Sequence, residues 1–339
     1  MKISILIPCY NEELTIEKCV LSCLNQTRVP DEIVVINDSS TDNTAKVLEK
    51  FSAPVKVYKT PKNTGNKSYA QEYGIQFITG DVFIATDGDT TLDEKFVEFI
   101  EEDMKNTEIS AIAGYVKSYK YNWITSCRGL DYTISQNIDK LAQDYLNFIF
   151  VIPGAAGAFR TDVFKNKIQF THDTITEDLD FTYRLHETKH IIRYDRRAIC
   201  YTQDPVTLKA YINQMRRWFG GGWQNFVKHI GVPSKPGMAL EISLIYIEGL
   251  IYSFMMFLMP LINLYLTFYV LMIYVFIVCC LALYAALKEK RIDFLLVVPG
   301  YILMKYVNAY IFLEQFFYEV VLRRKNLYWF KPERIKFKK

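Results

Sequence analysis

The chain has 339 residues, of which 50% are hydrophobic and 23% are charged. This length predicts about two units of 100–200 residues each. The composition excludes a disordered, a collagen-like and a small disulfide-stabilised protein. The formal net charge of +3 is too small to indicate a nucleic-acid partner, and we expect none.

Charge and apolarity are unevenly distributed along the chain. Residues 239–339 carry a net charge of +5, whereas the preceding residues carry −2. From Ile242 to Leu287 the only charged side chain is that of Glu248. We therefore predict an integral membrane protein with three parts: a polar domain over 1–232, a membrane domain over 233–322 and a basic tail over 323–339.

Strand and helix patterns alternate through the first 120 residues. Short apolar runs predict strands at Ile3–Ile7, Ile33–Ile36, Val55–Tyr58, Asp81–Ala85 and Ala111–Val116. Helical patterns between them predict helices at Glu12–Asn25, from Asp42 or Asn43 to Phe51, at Lys67–Ile78 and at Leu92–Met104. This alternation predicts an α/β domain in which right-handed βαβ units form a three-layer structure.

The second half of the chain is predominantly helical by pattern. A helical stretch runs from about Tyr121 to Phe148, and a basic aromatic helix, Leu208–Trp218, is predicted to end at Gly220–Gly222. Hydropathy indicates three candidate membrane segments, about Ile242–Leu258, Leu264–Leu287 and Phe294–Leu313.

Basic residues constrain how these segments cross the membrane. The positive-inside rule places both Lys288–Arg291 and the tail in the cytoplasm, which favours an even number of crossings with one segment interfacial or re-entrant. We expect the tail to contact anionic lipid headgroups through its basic side chains. These are Arg323, Arg324, Lys325, Lys331, Arg334, Lys336, Lys338 and Lys339.

Polar clusters follow three of the predicted strands. They are Pro8–Asn11, Asn37–Ser40 and Thr86–Asp89. Because ligands of such sheets bind beyond the carboxyl ends of the strands, these clusters predict a site at one sheet edge.

Asp87–Gly88–Asp89 is the first cluster with a specific chemistry. Two carboxylates at i and i+2 on a turn can share a Mg²⁺ or Mn²⁺ ion, although a polar turn is an alternative. A calcium loop is excluded, because Leu92 stands where that loop needs glycine and no helix precedes the turn.

Three further features have bland alternatives when taken singly. Asp38 is either a turn residue or a ligand of a sugar or base hydroxyl. Thr176–Glu177–Asp178 could simply be an acidic helix start, and Gln214–Trp218 could be an interfacial amphipathic helix. All four features in this order, upstream of apolar segments, favour one enzyme site.

The chain resembles the inverting glycosyltransferases of family 2, in particular the membrane-bound synthases of hyaluronan, chitin, poly-N-acetylglucosamine and cellulose. The resemblance extends from Ile3 to about Trp218. The segments that carry it are Ile5–Glu12, Val34–Asp42, Asp87–Asp89, Gly154–Arg160, Thr176–Asp178 and Gln214–Trp218.

The resemblance implies a GT-A fold and a role for each matching residue. The donor nucleotide sugar would contact Pro8, Tyr10, Asp38, Lys67, Asp87 and Asp89. Asp38 would hold the uracil or ribose, and Asp87 and Asp89 would bind Mg²⁺ or Mn²⁺. Asp178 would be the catalytic base. The acceptor sugar and the diphosphate would be held by Glu177, Gln214, Arg217 and Trp218.

These features predict a metal-dependent, inverting transferase that extends a β-linked polysaccharide from a UDP-sugar. Transfer of one sugar to a membrane lipid, either a polyprenyl phosphate or a glycolipid, is the alternative. The expected location is the plasma membrane with the catalytic domain in the cytoplasm. We expect the chain to contact membrane lipids. The sequence does not decide between a monomer and a homo-oligomer.

Overall fold

One mixed sheet of eight strands organises the first 202 residues. In this computed structural model, residues 1–166, 168, 170–230, 236–327 and 334–336 are described. The strands are β1 Ile3–Cys9, β2 Glu32–Asn37, β3 Val55–Lys59, β4 Val82–Ala85, β5 Thr91–Leu92, β6 Ile109–Ser118, β7 Gly157–Arg160 and β8 Ile191–Thr202. Their order is β3-β2-β1-β4-β7-β6-β8-β5. β1 to β4 are mutually parallel, and β7 is antiparallel to both of its neighbours.

Helices cover both faces of this sheet. They are α1 Ile16–Leu24, α2 Thr44–Leu48, α3 Lys67–Ile75, α4 Phe96–Asp103, α5 Trp123–Ile134, α6 Lys140–Tyr145, α7 Thr161–Asn166, α8 Glu177–Glu187 and α9 Leu208–His229. A π-helical turn at Ser135–Asp139 joins α5 to α6. Alternate residues of β1 pack on opposite faces: Ile5 contacts the core that contains Val20 of α1, and Leu6 contacts the core that contains Ala70 of α3. The predicted three-layer α/β domain is confirmed.

The sequence pattern did not predict three of the strands, β5, β7 and β8. β7 has only four residues, and β8 carries four charged side chains that mask its alternation. The helix predicted from Leu92 begins instead at Phe96, because Thr91 and Leu92 pair with β8 as β5.

The predicted end of α9 at its glycines is wrong. Gly220–Gly222 lie inside a continuous helix that ends at His229. A Cβ atom at Gly221 would clash with Thr176 Oγ1, and one at Gly222 would stand 2.8 Å from Tyr246 Oη. Glycine is needed here for close packing of α9 against its neighbours, and this packing offsets its low helix propensity.

We expect Gly221→Ala to destabilise the protein by about 1–3 kcal/mol, because the added methyl group overpacks this contact. Thermal unfolding in detergent would show a lower melting temperature. Adding Thr176→Ala should recover part of the loss, since the Thr176 side chain supplies the two nearest atoms. A single variant that melts at or above the wild-type temperature would contradict this explanation.

Within the described ranges, four α-helices follow the α/β domain, and a π-helical turn at Phe317–Val321 comes after the last of them. They are α10 Pro236–Ile262, α11 Leu264–Glu289, α12 Asp293–Leu296 and α13 Val298–Phe316. Among the described residues, two helical segments are long and apolar enough to cross a membrane, Leu240–Ile262 and Leu264–Glu289. Asn263 separates them and caps α11 by accepting a hydrogen bond from the Leu266 amide at 2.9 Å. The predicted boundary at residues 232–233 lies outside the described residues.

The third candidate segment, Phe294–Leu313, is not a continuous apolar span. It breaks at Val297 between α12 and α13. α13 packs along α9, where Arg216 forms an ion pair with Glu314 at 2.7 Å. That one apolar segment lies at the membrane interface stays a prediction.

Both ends of the α10–α11 pair contact the preceding domain. At the end of α11, Glu289 accepts hydrogen bonds from Tyr115 Oη at 3.0 Å and Lys117 Nζ at 2.7 Å. Near the start of α10, the ring of Tyr246 lies 4.8 Å from that of Trp223 on α9. The two apolar helices therefore leave the α/β domain and return to it.

Candidate active site

Lys67 links two of the predicted functional clusters. Its ammonium group forms an ion pair with Asp87 and donates to the Gly154 carbonyl oxygen at 3.1 Å. A Cβ atom at Gly154 would lie 2.7 Å from Lys67 Nζ and 3.7 Å from Asp178 Oδ2. The fold thus brings the aspartate after β4 and the aspartate at the start of α8 close to one lysine.

Asp89 lies deeper than Asp87 and contacts the C-terminal segment. Asp89 is 4% exposed, and its Oδ2 atom lies 2.6 Å from Arg334 Nη1. Arg334 Nε also donates to both carboxylate oxygens of Glu12 at 3.1 Å. The neighbouring Ile335 exchanges two hydrogen bonds with the Gln203 side chain.

This contact corrects the expectation for Arg334, which was grouped with the lipid-binding residues of the tail. Its side chain is only 14% exposed, because Glu12 and Asp89 attract the guanidinium into an acidic site. Three other predicted tail residues, Lys331, Lys338 and Lys339, lie outside the described residues.

Asp87 and Asp89 suit a divalent cation that is shared with a phosphate ligand. No group of three His, Cys, Asp or Glu side chains able to hold a metal occurs in the part of the chain that the structure describes. Mg²⁺ commonly needs only one or two carboxylates when substrate phosphates supply further oxygens. Burial, reinforced by repulsion from Glu12 and Asp87, raises the pKa of Asp89 to about 7 despite Arg334. Asp89 is already paired with the Arg334 cation.

Glu177 and Asp178 form the acidic start of α8. Burial, followed by repulsion from Asp178, raises the pKa of Glu177 to about 7, while Lys67 and Arg217 oppose the shift. Among the described hydrogen bonds, the Asp178 carboxylate accepts one, at Oδ1 from the Leu179 amide at 2.9 Å. Its other carboxylate oxygen faces the Lys67 side of the site.

α9 holds the segment that precedes these carboxylates. Asn225 Nδ2 donates to the carbonyl and hydroxyl oxygens of Thr176 at 3.3 and 3.0 Å. Gln224 Oε1 accepts from the Ile175 amide at 2.9 Å. The helix that carries the Gln214–Trp218 motif therefore also fixes the position of the predicted base.

A buried ionic contact reinforces the packing of α8 on α9. Asp180 lies 2.8 Å from His229 Nε2 and 2.6 Å from Lys228 Nζ, and Glu187 lies 2.6 Å from His229 Nδ1. Burial disfavours charge on both partners. These bonds outweigh burial: they raise the pKa of His229 and lower the pKa of Asp180 to about 2.

We expect the stability of wild-type protein to fall as the pH rises above about 6.5. The folded state binds the His229 proton more tightly than the unfolded chain, so this stabilisation is complete below the unfolded pKa. It is lost as the pH rises through the folded pKa. Melting temperatures measured from pH 6 to 9 should fall less steeply in His229→Gln, and parallel curves would contradict the assignment.

The Gln214–Trp218 motif faces the same site. Gln214 is buried, and its Oε1 atom has no hydrogen-bond partner in the described structure. Arg217 lies close enough to Glu177 to favour its ionised form. Trp218 is half-buried, and the Arg128 guanidinium stands 4.9 Å from its ring centre.

The residues predicted to contact the nucleoside are Pro8, Tyr10 and Asp38. Pro8 is buried within β1, and Tyr10 is half-buried just after it. The Asp38 carboxylate accepts hydrogen bonds from the Thr60 hydroxyl, the Asn63 amide group and the Thr64 amide and hydroxyl, at 2.8 to 3.2 Å. Asp38 therefore holds the segment 60–64, and a nucleoside contact would require one of these bonds to break.

Several residues at the site were missed by sequence reasoning. Glu12 lay inside a recognised motif without a role, and Asn225 lay beyond the predicted end of its helix. Arg128 and Arg334 reach the site through tertiary folding, and no local pattern marks them.

Known proteins resemble this chain in sequence and in fold. Residues 4–166 match the family described as Glycosyl transferase family 2. The poly-beta-1,6-N-acetyl-D-glucosamine synthase of Staphylococcus epidermidis is 30% identical over 224 residues, which are 65% of this chain and 54% of that protein. The chain thus spans about half the length of such relatives.

Two solved structures share the fold. One is the mannosyltransferase PcManGT from Pyrobaculum calidifontis with GDP-Man and Mn²⁺ (TM-score 0.64, 16% identity, 95% of this chain and 88% of that one). The other is S. aureus TarS with UDP-GlcNAc (TM-score 0.55, 17% identity, 71% and 70%). Residues 4–166 are therefore a Glycosyl transferase family 2 domain.

Proposed function

We propose that this chain is a membrane-bound, inverting glycosyltransferase that adds sugar from a UDP-sugar to a growing β-linked polysaccharide. The polysaccharide synthases among its relatives and the two apolar helices support this assignment. The UDP-GlcNAc complex of a protein with the same fold supports a UDP-sugar donor.

One observation carries the proposal. Lys67 pairs with Asp87, where a diphosphate and its cation would be held, and lies near Asp178, the predicted base. A sugar bridging these two regions would present its anomeric carbon between a leaving group and a proton acceptor. This is the arrangement that a single displacement requires.

In the proposed reaction, the acceptor hydroxyl oxygen attacks the anomeric carbon while Asp178 takes the hydroxyl proton. The bond from that carbon to the UDP oxygen breaks, and both of its electrons leave with UDP. Lys67 and Arg217 lie near the carboxylates and would offset the negative charge of the diphosphate. Since one displacement inverts the anomeric carbon, an α-linked donor gives a β-linked product.

We further propose that Asp87 and Asp89 hold Mg²⁺ or Mn²⁺. The bound ion would neutralise charge that develops on the departing diphosphate. A Mn²⁺ complex of a protein with this fold and the acidic pair after β4 support this proposal. For Asp89 to take part, its contact with Arg334 would have to loosen or rearrange.

The proposed topology is a helical hairpin with the catalytic domain in the cytoplasm. Both ends of the α10–α11 pair contact that domain, which two crossings would produce. The basic residues Lys288, Lys290 and Arg291 stand at the returning end, as the positive-inside rule favours.

The test is UDP release by purified chain in detergent or vesicles with Mn²⁺ and a panel of UDP-sugars, followed by mass spectrometry and gel sizing of the product. We expect one UDP-sugar to support release and to yield a ladder or long polymer. A single glycolipid would replace the polymer assignment with lipid glycosylation. No release with any donor would contradict the proposed function.

A further inference from the structure

A buried charged cluster lies beneath the side chain that is predicted to receive the acceptor. At its centre is Arg128 on α5, whose side chain is 2% exposed. Its guanidinium lies 4.9 Å from the ring centre of Trp218 on α9 and 4.5 Å from that of Tyr132. Arg128 therefore contacts two aromatic rings, one of which belongs to the Gln214–Trp218 motif.

The guanidinium is held in place by bonds to three side chains. Arg128 Nε lies 3.2 Å from Asp204 Oδ1, Nη1 lies 3.2 Å from Asp131 Oδ2, and Nη2 donates to Tyr132 Oη at 2.9 Å. The Asp204 side chain, just after β8, is 1% exposed. The donors of a planar guanidinium fix its orientation, which a lysine ammonium cannot do.

The cluster also connects to the helix that follows the apolar pair. Asp131 Oδ1 accepts from Lys305 Nζ at 2.7 Å and from Tyr301 Oη at 3.1 Å, and both donors belong to α13. Trp218 thus contacts a charged cluster whose members come from α5, from the segment after β8 and from α13. Movement of any of these elements would move the support under the indole.

A buried ion pair is an expensive way to stabilise a fold. Desolvation commonly offsets the attraction between the charges, and an apolar replacement of the same shape is often no less stable. Asp204 is costly in a further respect, because its Oδ2 atom is buried without a hydrogen-bond partner in the described structure. What the pair provides is a cation of fixed orientation against the indole, an interaction that is strongest with tryptophan.

We infer that Arg128, anchored by Asp204, is a positioning residue that fixes the Trp218 indole for the acceptor sugar. This inference rests on the proposed function, which assigns the acceptor to Trp218. Arg128 acts through Trp218, and the contacts of Asp87 and Lys67 do not involve it. Its loss should therefore impair use of the acceptor much more than hydrolysis of the donor by water.

The first test compares Arg128→Lys with wild type. The lysine keeps the charge opposite Asp204 but loses the planar stacking, so the fold should survive. We expect the KM for acceptor to rise by about tenfold or more, because small misplacements of a binding group are costly. UDP release in the absence of acceptor should stay within about twofold of wild type, since donor contacts are unchanged.

The matched control is Arg193→Lys. Arg193 is likewise an arginine paired with a carboxylate: it makes two bonds to Asp144, at 2.8 and 2.9 Å, but no contact with Trp218 is described for it. Wild-type acceptor KM in Arg128→Lys would overturn the inference. So would an equal rise in the control, or equal losses of acceptor transfer and donor hydrolysis.

A second measurement does not depend on catalysis. The emission of Trp218 is obtained as the difference between the fluorescence of a protein and that of its Trp218→Phe derivative. In wild type the fixed Arg128 cation should keep acrylamide away from the Trp218 indole, so its emission should be quenched only weakly. Arg128→Lys should increase this quenching. Unchanged quenching would overturn the inference, whereas absence of UDP release from wild type would overturn only the proposed function.

Discussion

Asp178→Asn is expected to lower sugar transfer by about 10³-fold or more, because a general base contributes roughly 10²–10⁴-fold and its amide cannot accept the proton. Asparagine keeps the size of the side chain and the hydrogen bond from the Leu179 amide. The loss should appear in kcat with little change in the KM for donor. UDP release at saturating donor and acceptor is the measurement.

The fold should tolerate this change, which separates catalysis from stability. Asp178 contributes at most the modest attraction of a carboxylate to a helix start, about 0.3–1 kcal/mol. Asp173→Asn is the control, since Asp173 is a half-exposed carboxylate in the preceding segment and pairs with Lys228 at 2.8 Å. Transfer by Asp178→Asn at the wild-type rate would exclude Asp178 as the base.

Glu177 gives the reaction a further pH dependence to examine. Its raised pKa, about 7, arises from burial and from the neighbouring Asp178 charge. Because burial also raises the pKa of Asp89 to about 7, Glu177 and Asp89 should both contribute ionisations near neutrality to the pH–rate profile. Glu177→Gln should remove the contribution of Glu177 from the pH–rate profile. An unchanged profile would exclude Glu177 as a source of the ionisation near neutrality.

The local sequence pattern predicted those elements whose secondary structure depends on the residues of one short segment. The apolar runs of β1, β2 and β4 are bounded by polar turns, so their existence and parallel order followed from sequence. The clusters at their ends were correctly expected to meet, because parallel strands carry their carboxyl ends to one edge.

The parts that failed depend on partners distant in sequence. The glycines of α9 look like a helix end, and only the neighbouring Thr176 and Tyr246 explain why they continue it. Arg334 looks like a surface cation because its partners, Glu12 and Asp89, stand more than 200 residues away. Periodicity carries no information about such contacts.

Asp38 shows the limit of carrying a role over from a motif. Its position at the end of β2 was predicted, but its carboxylate is already engaged by Thr60, Asn63 and Thr64. A residue type at the right place can thus serve the loop around a ligand as well as the ligand itself.

Asp89→Asn is expected to lower transfer by about 10²-fold or more, because a bound metal ion supplies several kcal/mol of charge stabilisation. The variant also replaces a buried carboxylate, whose pKa is raised by burial to about 7, with a neutral group of the same shape. Arg334 keeps both bonds to Glu12, so we expect the fold to persist.

The decisive readout for Asp89 is metal binding itself. With UDP present, Mn²⁺ should raise the melting temperature of wild type, because a ligand that binds only the folded state stabilises it. Asp89→Asn should lose most of this shift. Glu94→Gln, at an exposed carboxylate five residues further along, should keep it. If Asp89→Asn retained both the shift and the wild-type Mn²⁺ dependence of transfer, Asp89 would serve the enzyme as the partner of Arg334, and the cation would have to bind elsewhere.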